Sequence, residues 1–360
     1  MELPPVLKVA RNIAPDEAQV LAKVRALDDA GRHAEAVELL KAEAKNGGPL
    51  ATVELGERLL IGARGAPFAP EQGAGLIAIA ADDGNPDGLA RLAALTAAGA
   101  YVPQSWSGAL ELLSRAAEAG SIDARGQLQA LASDRSAPGD WRRLADSVDI
   151  DGWLTPPSRE PICETPRVRR VKGFVTREVC RWLISRARDR LEPAGVFDSE
   201  TGASKLDQAR TCSHHLFDFA GADLVVLLLR ARIASLVQLP PQTMEPPQVL
   251  HYQPGQEFKP HYDNIRQDGG TYGGDYDGDR IVTFLLYLND GYEGGELDFP
   301  RAGFRCKGGA GDAVYFALID AAGEPDKLSL HAGLPVTKGE KWLFSQWIHD
   351  RALPIEGLAC

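Results

Sequence analysis

The sequence predicts a multidomain α+β chain: an N-terminal array of α-helical repeats, then a jelly roll, or double-stranded β-helix, flanked by helices. Residues 18 to about 132 are rich in Ala, Leu, Glu and Gly and nearly devoid of strand formers, and they match themselves at a period of about 36. From residue 281 onward, short β-branched and aromatic runs (IVTFLLYLN, GELDF, AVYFA, LSLHAG, KWLFSQWIH) alternate with Gly- and Asp-bearing turns, the spacing of a double-sheet barrel. A length of 360 residues suits two or three domains.

In the repeats, Gly62 aligns with Gly99, Ala80 and Ala81 with Ala116 and Ala117, Gly84 with Gly120, and Asp87 with Asp123. Each unit reads as a helix, a Gly/Pro-bearing turn, a second helix and a Gly stop, with small residues where helices cross closely. These units resemble tetratricopeptide-type hairpins of the subclass with a long inter-helix loop, and a shorter pair precedes them at residues 18–47. Such stacks present concave surfaces, so the array is expected either to bind a protein partner or to pack.

The expected domains are helical repeats over 1–132, a linker over 133–162, a catalytic domain over 163–353 and a tail over 354–360. Pro, Ser and Asp dominate the linker, with room for one short helix around WRRLADSV. Beyond it, Val168–Val175 offers a strand and Thr176 an N-cap. Val179, Leu183, Ala187 and Leu191 recur at i+4 on a helix that should lie on the sheet. A second helix is expected at roughly 219–238, ending before Pro240.

Chemistry concentrates between residues 248 and 348. His261 and Asp263 stand two apart in HYDN, so on a strand or its extended continuation both project to one side. His331, seventy residues on, is the candidate third ligand. Two imidazoles and one carboxylate on one face of an octahedron suit non-haem iron(II), with three positions left open. Zinc accepts the same ligand mix, which leaves a hydrolase as a rival.

The series HYDN, LLYLND, EGGELDFP, GDAVYF and HAGLPVTKGEKW resembles the catalytic domain of prolyl 4-hydroxylases, within the iron(II)/2-oxoglutarate-dependent oxygenases. The likeness covers roughly residues 165–352. It implies that His261, Asp263 and His331 bind Fe(II) and act in catalysis. It also implies that Lys341 pairs with the distal carboxylate of the co-substrate 2-oxoglutarate, Tyr287 lies beside that carboxylate, and Tyr252 lies nearer the metal-bound end. The implied reaction consumes dioxygen and releases succinate and carbon dioxide as it hydroxylates a prolyl residue of a peptide or protein, with ascorbate a candidate reductant. A buried distal carboxylate needs a cation and hydrogen bonds, which Lys341 and Tyr287 provide and a hydrolase has no use for. A non-catalytic scaffold is the other alternative, though such a descendant should have lost a ligand or the lysine.

Substrate contacts are expected from Arg210, from Tyr272 and Tyr276 in a Gly- and Asp-rich loop read as a lid, and from Trp347, which stands six residues beyond Lys341 on one strand face. His214 and His215 are neighbours on a strand, point to opposite faces and do not suit one ion.

A net charge of −11 argues against a nucleic-acid partner. The basic run at 167–174 reads as a solvated surface. The longest apolar stretch, residues 224–229, is far too short to span a bilayer. Five scattered cysteines and an opening without an apolar core or cleavage site set the expectation of a cytoplasmic, reducing location.

Overall fold

The computed structural model describes residues 15–198, 203–205, 208–219, 221–264 and 278–353. It divides into two compact units, Met1–Val148 and Asp149–Cys360. Among the described residues, no helix is long and apolar enough to cross a membrane.

The first unit is helical throughout. Helices Pro15–Asp29 and His33–Lys45 form the short leading hairpin. Pro49–Ile61 with Pro70–Asp82, then Pro86–Ala98 with Trp106–Glu118, form the two longer ones. The aligned glycines Gly62 and Gly99 end the first helix of each long hairpin in the left-handed region, at φ 64° and 67°, where a side chain is costly. Helices Pro49–Ile61 and Pro70–Asp82 cross glycine on glycine. A Cβ on Gly73 would stand 2.6 Å from the Gly56 carbonyl oxygen, so the contact excludes even alanine. Asn85, Ser105 and Ser121 cap the helices that follow them through their side-chain oxygens. Buried Glu17 accepts from the Leu50 amide at 2.6 Å, placing a carboxylate at the positive end of the Pro49 helix.

The stretch 133–162 is more ordered than its composition suggests. Its Asp residues act as caps: Asp140 starts helix Trp141–Asp146 and Asp149 starts Ile150–Leu154. The first of these packs on the repeat helices, which carries the helical unit to Val148. The second packs on helix Leu224–Val237, from which Arg232 donates to the Gly152 and Trp153 carbonyl oxygens at 2.6 and 3.0 Å. The second unit thus starts upstream of the expected boundary, and Glu160–Cys163 already forms its edge strand. Residues 354–360 lie outside the described residues.

In the second unit an eight-stranded antiparallel sheet runs, in spatial order, Glu160–Cys163, Val168–Val171, Ala313–Ala317, Arg280–Tyr287, Lys341–His349, Gln248–Tyr252, Ser213–Leu216 and Glu192–Pro193. A four-stranded sheet runs Phe304–Cys306, Leu297–Phe299, His331–Gly333 and Phe258–His261. Inward residues of both sheets, among them Leu285, Leu343, Phe299 and Phe316, share one apolar core, as a double-stranded β-helix requires.

Two helices flank the large sheet. Thr176 caps Arg177–Ala187 by accepting from the Val179 amide, and Val179, Leu183 and Ala187 are buried. Leu191 departs from that stripe, because the chain tightens into a 3-10 turn at Arg188–Arg190 and leaves it extended. The second helix is shorter than expected, Leu224–Val237, since Asp223 caps it by accepting from the Val226 amide.

Candidate active site

His261 ends the strand Phe258–His261 and His331 begins its antiparallel neighbour, so the two are direct cross-strand partners. Asp263 follows two residues after His261, and one ligand atom from each of the three lies within 4.8 Å of the others. Each imidazole is held the same way. His261 Nδ1 lies 2.8 Å from the Lys259 carbonyl oxygen and His331 Nδ1 lies 3.0 Å from that of Ser329. A carbonyl only accepts, so Nδ1 carries the proton in both rings and Nε2 presents its lone pair. Both Nε2 atoms face Asp263: His261 Nε2 is 3.4 Å from Oδ1 and His331 Nε2 is 3.4 Å from Oδ2. The Phe258 ring stacks on His261 at 3.5 Å between centroids.

Burial alone would raise the Asp263 pKa, yet His331 and His261 hold it well below the ordinary carboxylate range. Burial, followed by the nearby His331, lowers the His261 pKa, which favours the neutral ring. A carboxylate oxygen and two imidazole nitrogens converging on one point, with no thiolate among them, fit a divalent first-row ion such as iron(II). Among the described residues no other cluster of potential ligands forms. His214 instead bonds the Gln248 side chain at 3.0 Å.

From this cluster a cleft of about 490 Å³, its open mouth included, runs between the sheets. Period-two alternation decides what lines it. Thr283, Leu285 and Tyr287 face it from one strand, and Lys341, Leu343, Ser345 and Trp347 from the next. Register stacks these in layers: Thr283 beside Trp347, Leu285 beside Ser345, Tyr287 beside Leu343. Tyr252 then pairs with Lys341 across the other edge.

At the deep end Lys341, 2 % exposed, donates to the Gly295 carbonyl oxygen at 2.7 Å and lies 5.1 Å from the Tyr252 ring centre. Burial first, and the charge of Lys307 second, push its pKa down to about 8. The Tyr287 hydroxyl is buried with no hydrogen-bond partner among the described residues, and burial raises its pKa well above that of a free phenol. Burial likewise raises the Tyr252 pKa well above that of a free phenol. An unpaired hydroxyl beside a buried ammonium makes this end suited to an anion.

Two of the expected substrate contacts, Arg210 and Trp347, line the same cleft. Arg210 bonds the Gly195 carbonyl and the Gln248 side chain, while its Nε and the buried Trp347 Nε1 have no partner among the described residues. Tyr272, Tyr276 and the loop read as a lid lie outside the described residues.

Some contributors escaped the sequence reading. Thr283 Oγ1 donates to Asp263 Oδ2 at 2.6 Å, and the available signal was a polar residue in the run IVTFLLY, four before Tyr287. Arg280 lies over the Trp347 ring at 3.7 Å, held by buried Glu245 at 2.5 and 2.9 Å. Glu245 also meets His349 Nε2 at 2.6 Å. No periodicity marks Glu245, which sits in a loop before the strand.

A double-stranded β-helix that gathers two histidines, an aspartate and a buried lysine around one cleft defines a metal-dependent oxygenase. A model of the 2OG-Fe(II) oxygenase superfamily matches residues 247–349. Over 203 residues the chain is 36% identical to "Probable prolyl 4-hydroxylase 3" of Arabidopsis thaliana, covering 51% of this chain and 69% of that protein. Over 209 residues it is 36% identical to prolyl 4-hydroxylase 5 of the same plant, covering 53% of this chain and 70% of that one. Among solved structures, a viral collagen prolyl hydroxylase from Paramecium Bursaria Chlorella virus-1, in complex with 2OG, aligns with 52% of this chain and 98% of its own. Its identity is 27% and its TM-score 0.41. The chain belongs to the prolyl 4-hydroxylase family of iron(II)- and 2-oxoglutarate-dependent dioxygenases.

Proposed function

We propose that the protein hydroxylates a prolyl residue of a peptide or protein, with His261, Asp263 and His331 holding the iron and Lys341 and Tyr287 holding the distal carboxylate of 2-oxoglutarate. The observation that carries this reading is the joint presence, in one cleft, of a three-ligand cluster and a buried lysine beside an unpartnered phenol. Iron supplies the activation of dioxygen and of the keto acid. The chain does the rest. Its backbone carbonyls fix both imidazoles, Lys341 and Tyr287 orient the co-substrate, and apolar walls such as Leu285, Leu297 and Leu343 keep water from the reacting end. Tyr252 lies between these ends. The unpartnered nitrogens of Arg210 and Trp347 are donors for carbonyl groups of a bound peptide.

The curated relatives are prolyl 4-hydroxylases by name, which favours proline over other side chains. The helical unit suits a protein partner or a protein substrate, because stacked hairpins offer extended surfaces. A cytoplasmic, reducing setting and ascorbate as reductant fit an enzyme whose iron must stay ferrous. Mass spectrometry of proline-containing peptides tests the reaction. The expected result is a gain of about 16 Da on proline that requires iron(II), 2-oxoglutarate and dioxygen together. Turnover of 2-oxoglutarate with the gain on another side chain would sink the prolyl assignment.

A further inference from the structure

We propose that the Thr283 hydroxyl is a positioning group that confines Asp263 to one metal-binding oxygen, which keeps open the positions that a chelating keto acid and dioxygen together require. The inference rests on the reading of the site given above. A carboxylate can offer an ion one oxygen or both. In an octahedral site two imidazoles and one oxygen leave three positions, of which 2-oxoglutarate takes two and dioxygen the third. A two-oxygen aspartate would leave two, and the co-substrate would fill both.

The Asp263 side chain is well placed to do either. Its two oxygens face different imidazoles, each at 3.4 Å, so neither is turned away from the point where the ligands converge. What separates the two oxygens is Thr283. Its Oγ1 donates to Oδ2 at 2.6 Å, and with Thr283 1 % and Asp263 6 % exposed, solvent does not replace that bond. A metal that takes Oδ2 as a second donor competes with a short hydrogen bond to an anion, whereas among the described residues none donates a comparably short bond to Oδ1.

Thr283 is itself fixed by the sheet. It sits in mid-strand, directly opposite Trp347, and the strand places its side chain in the cleft in the same layer as Asp263. From the other side Arg280 Nη1 reaches the Asp263 backbone carbonyl at 3.5 Å, so main chain and side chain of the ligand are each tied to the strand Arg280–Tyr287.

Cobalt(II) tests this without turnover, since its visible absorption reports the set of donor atoms around the ion. Wild type, Thr283→Val and Thr283→Ser would be loaded with saturating cobalt(II) and titrated with 2-oxoglutarate, with melting curves of the metal-free proteins as a folding control. Valine keeps the shape and removes the hydroxyl. It is expected to shift the cobalt spectrum both before and after 2-oxoglutarate is added, because a second aspartate oxygen then takes the position that wild type leaves for dioxygen. Serine is expected to restore both spectra. A Thr283→Val protein that matches wild type overturns the assignment, and so does a loss shared by Thr283→Ser. A wild-type protein whose cobalt spectrum ignores 2-oxoglutarate overturns the reading of the site itself.

Discussion

The two ends of the cleft are built on different terms. At the histidine end the orienting hydrogen bonds are made by the chain itself, and each imidazole is held by the carbonyl two residues before it. At the lysine end the partners come from distant segments, and polar capacity is left over. Lys341 donates to one carbonyl, while the hydroxyls of Tyr287 and Tyr292 are buried without partners among the described residues. A ligand-ready metal site needs only local geometry. The deep end instead carries a desolvation cost that a dicarboxylate bound there would offset.

The contrast breaks most severely at the histidine end. His261→Ala or His331→Ala removes a nitrogen donor that no other described residue replaces. Turnover of 2-oxoglutarate on a prolyl peptide is expected to fall to background, with iron binding lost in parallel by equilibrium dialysis. Retained iron binding in either variant would break the assignment of that residue.

Lys341→Ala is expected to leave iron binding intact and raise the 2-oxoglutarate KM by about 10- to 100-fold, the loss of a charged hydrogen bond worth about 1.5–3 kcal/mol. An unchanged KM would mean that another group holds the distal carboxylate. Because the deep end bears an unrelieved cost, Lys341→Met should raise the melting temperature at pH 7 without co-substrate, by about 1–4 kcal/mol in stability terms.

The pH dependence of that residue has a definite sign. Lys341 titrates at about 8 in the folded protein against 10.5 for the free side chain. Between those values the unfolded chain binds a proton that the folded one does not, so stability contributed by this group rises with pH from about 8 to 10.5. Affinity for 2-oxoglutarate runs the other way, falling as pH climbs through about 8 and the ammonium is lost. A pH profile of KM that stays flat from 7 to 9.5 would contradict the role given to Lys341.

Tyr287→Phe has a milder expected effect, a few-fold rise in the 2-oxoglutarate KM, since one neutral hydrogen bond is worth about 1 kcal/mol. Gly308→Ala approaches the same hydroxyl indirectly. Its added Cβ would stand 2.5 Å from Tyr287 Cδ2, so the ring must shift. If Tyr287 positions the co-substrate, the two substitutions should raise KM in the same direction.

The sequence carried the site to different depths. His261, Asp263 and His331 were legible as a candidate cluster because metal chemistry restricts residue type as well as spacing, and Lys341 was marked by the family resemblance; all four line one cleft. Trp347 was legible because strand alternation is strict. Thr283 was overlooked because a threonine in a β-rich run satisfies strand propensity and so attracts no functional reading. Glu245 and Arg280 were missed because their pairing spans 35 residues and depends on how a loop meets a strand. The repeats showed their period through glycines that end helices, but the Gly56–Gly73 crossing is a packing fact with no periodic trace. In the linker the short helix around WRRLADSV was expected, whereas Ile150–Leu154 was not, because its cap Asp149 reads as linker composition.

His261 and His331 face each other across two short antiparallel strands, one of them at the edge of its sheet. A one-residue slip in that pairing would rotate one imidazole to the opposite surface and abolish the pair. A chain whose edge strand pairs out of step is therefore expected to hold no ion, so register errors would surface as a shortfall in bound metal.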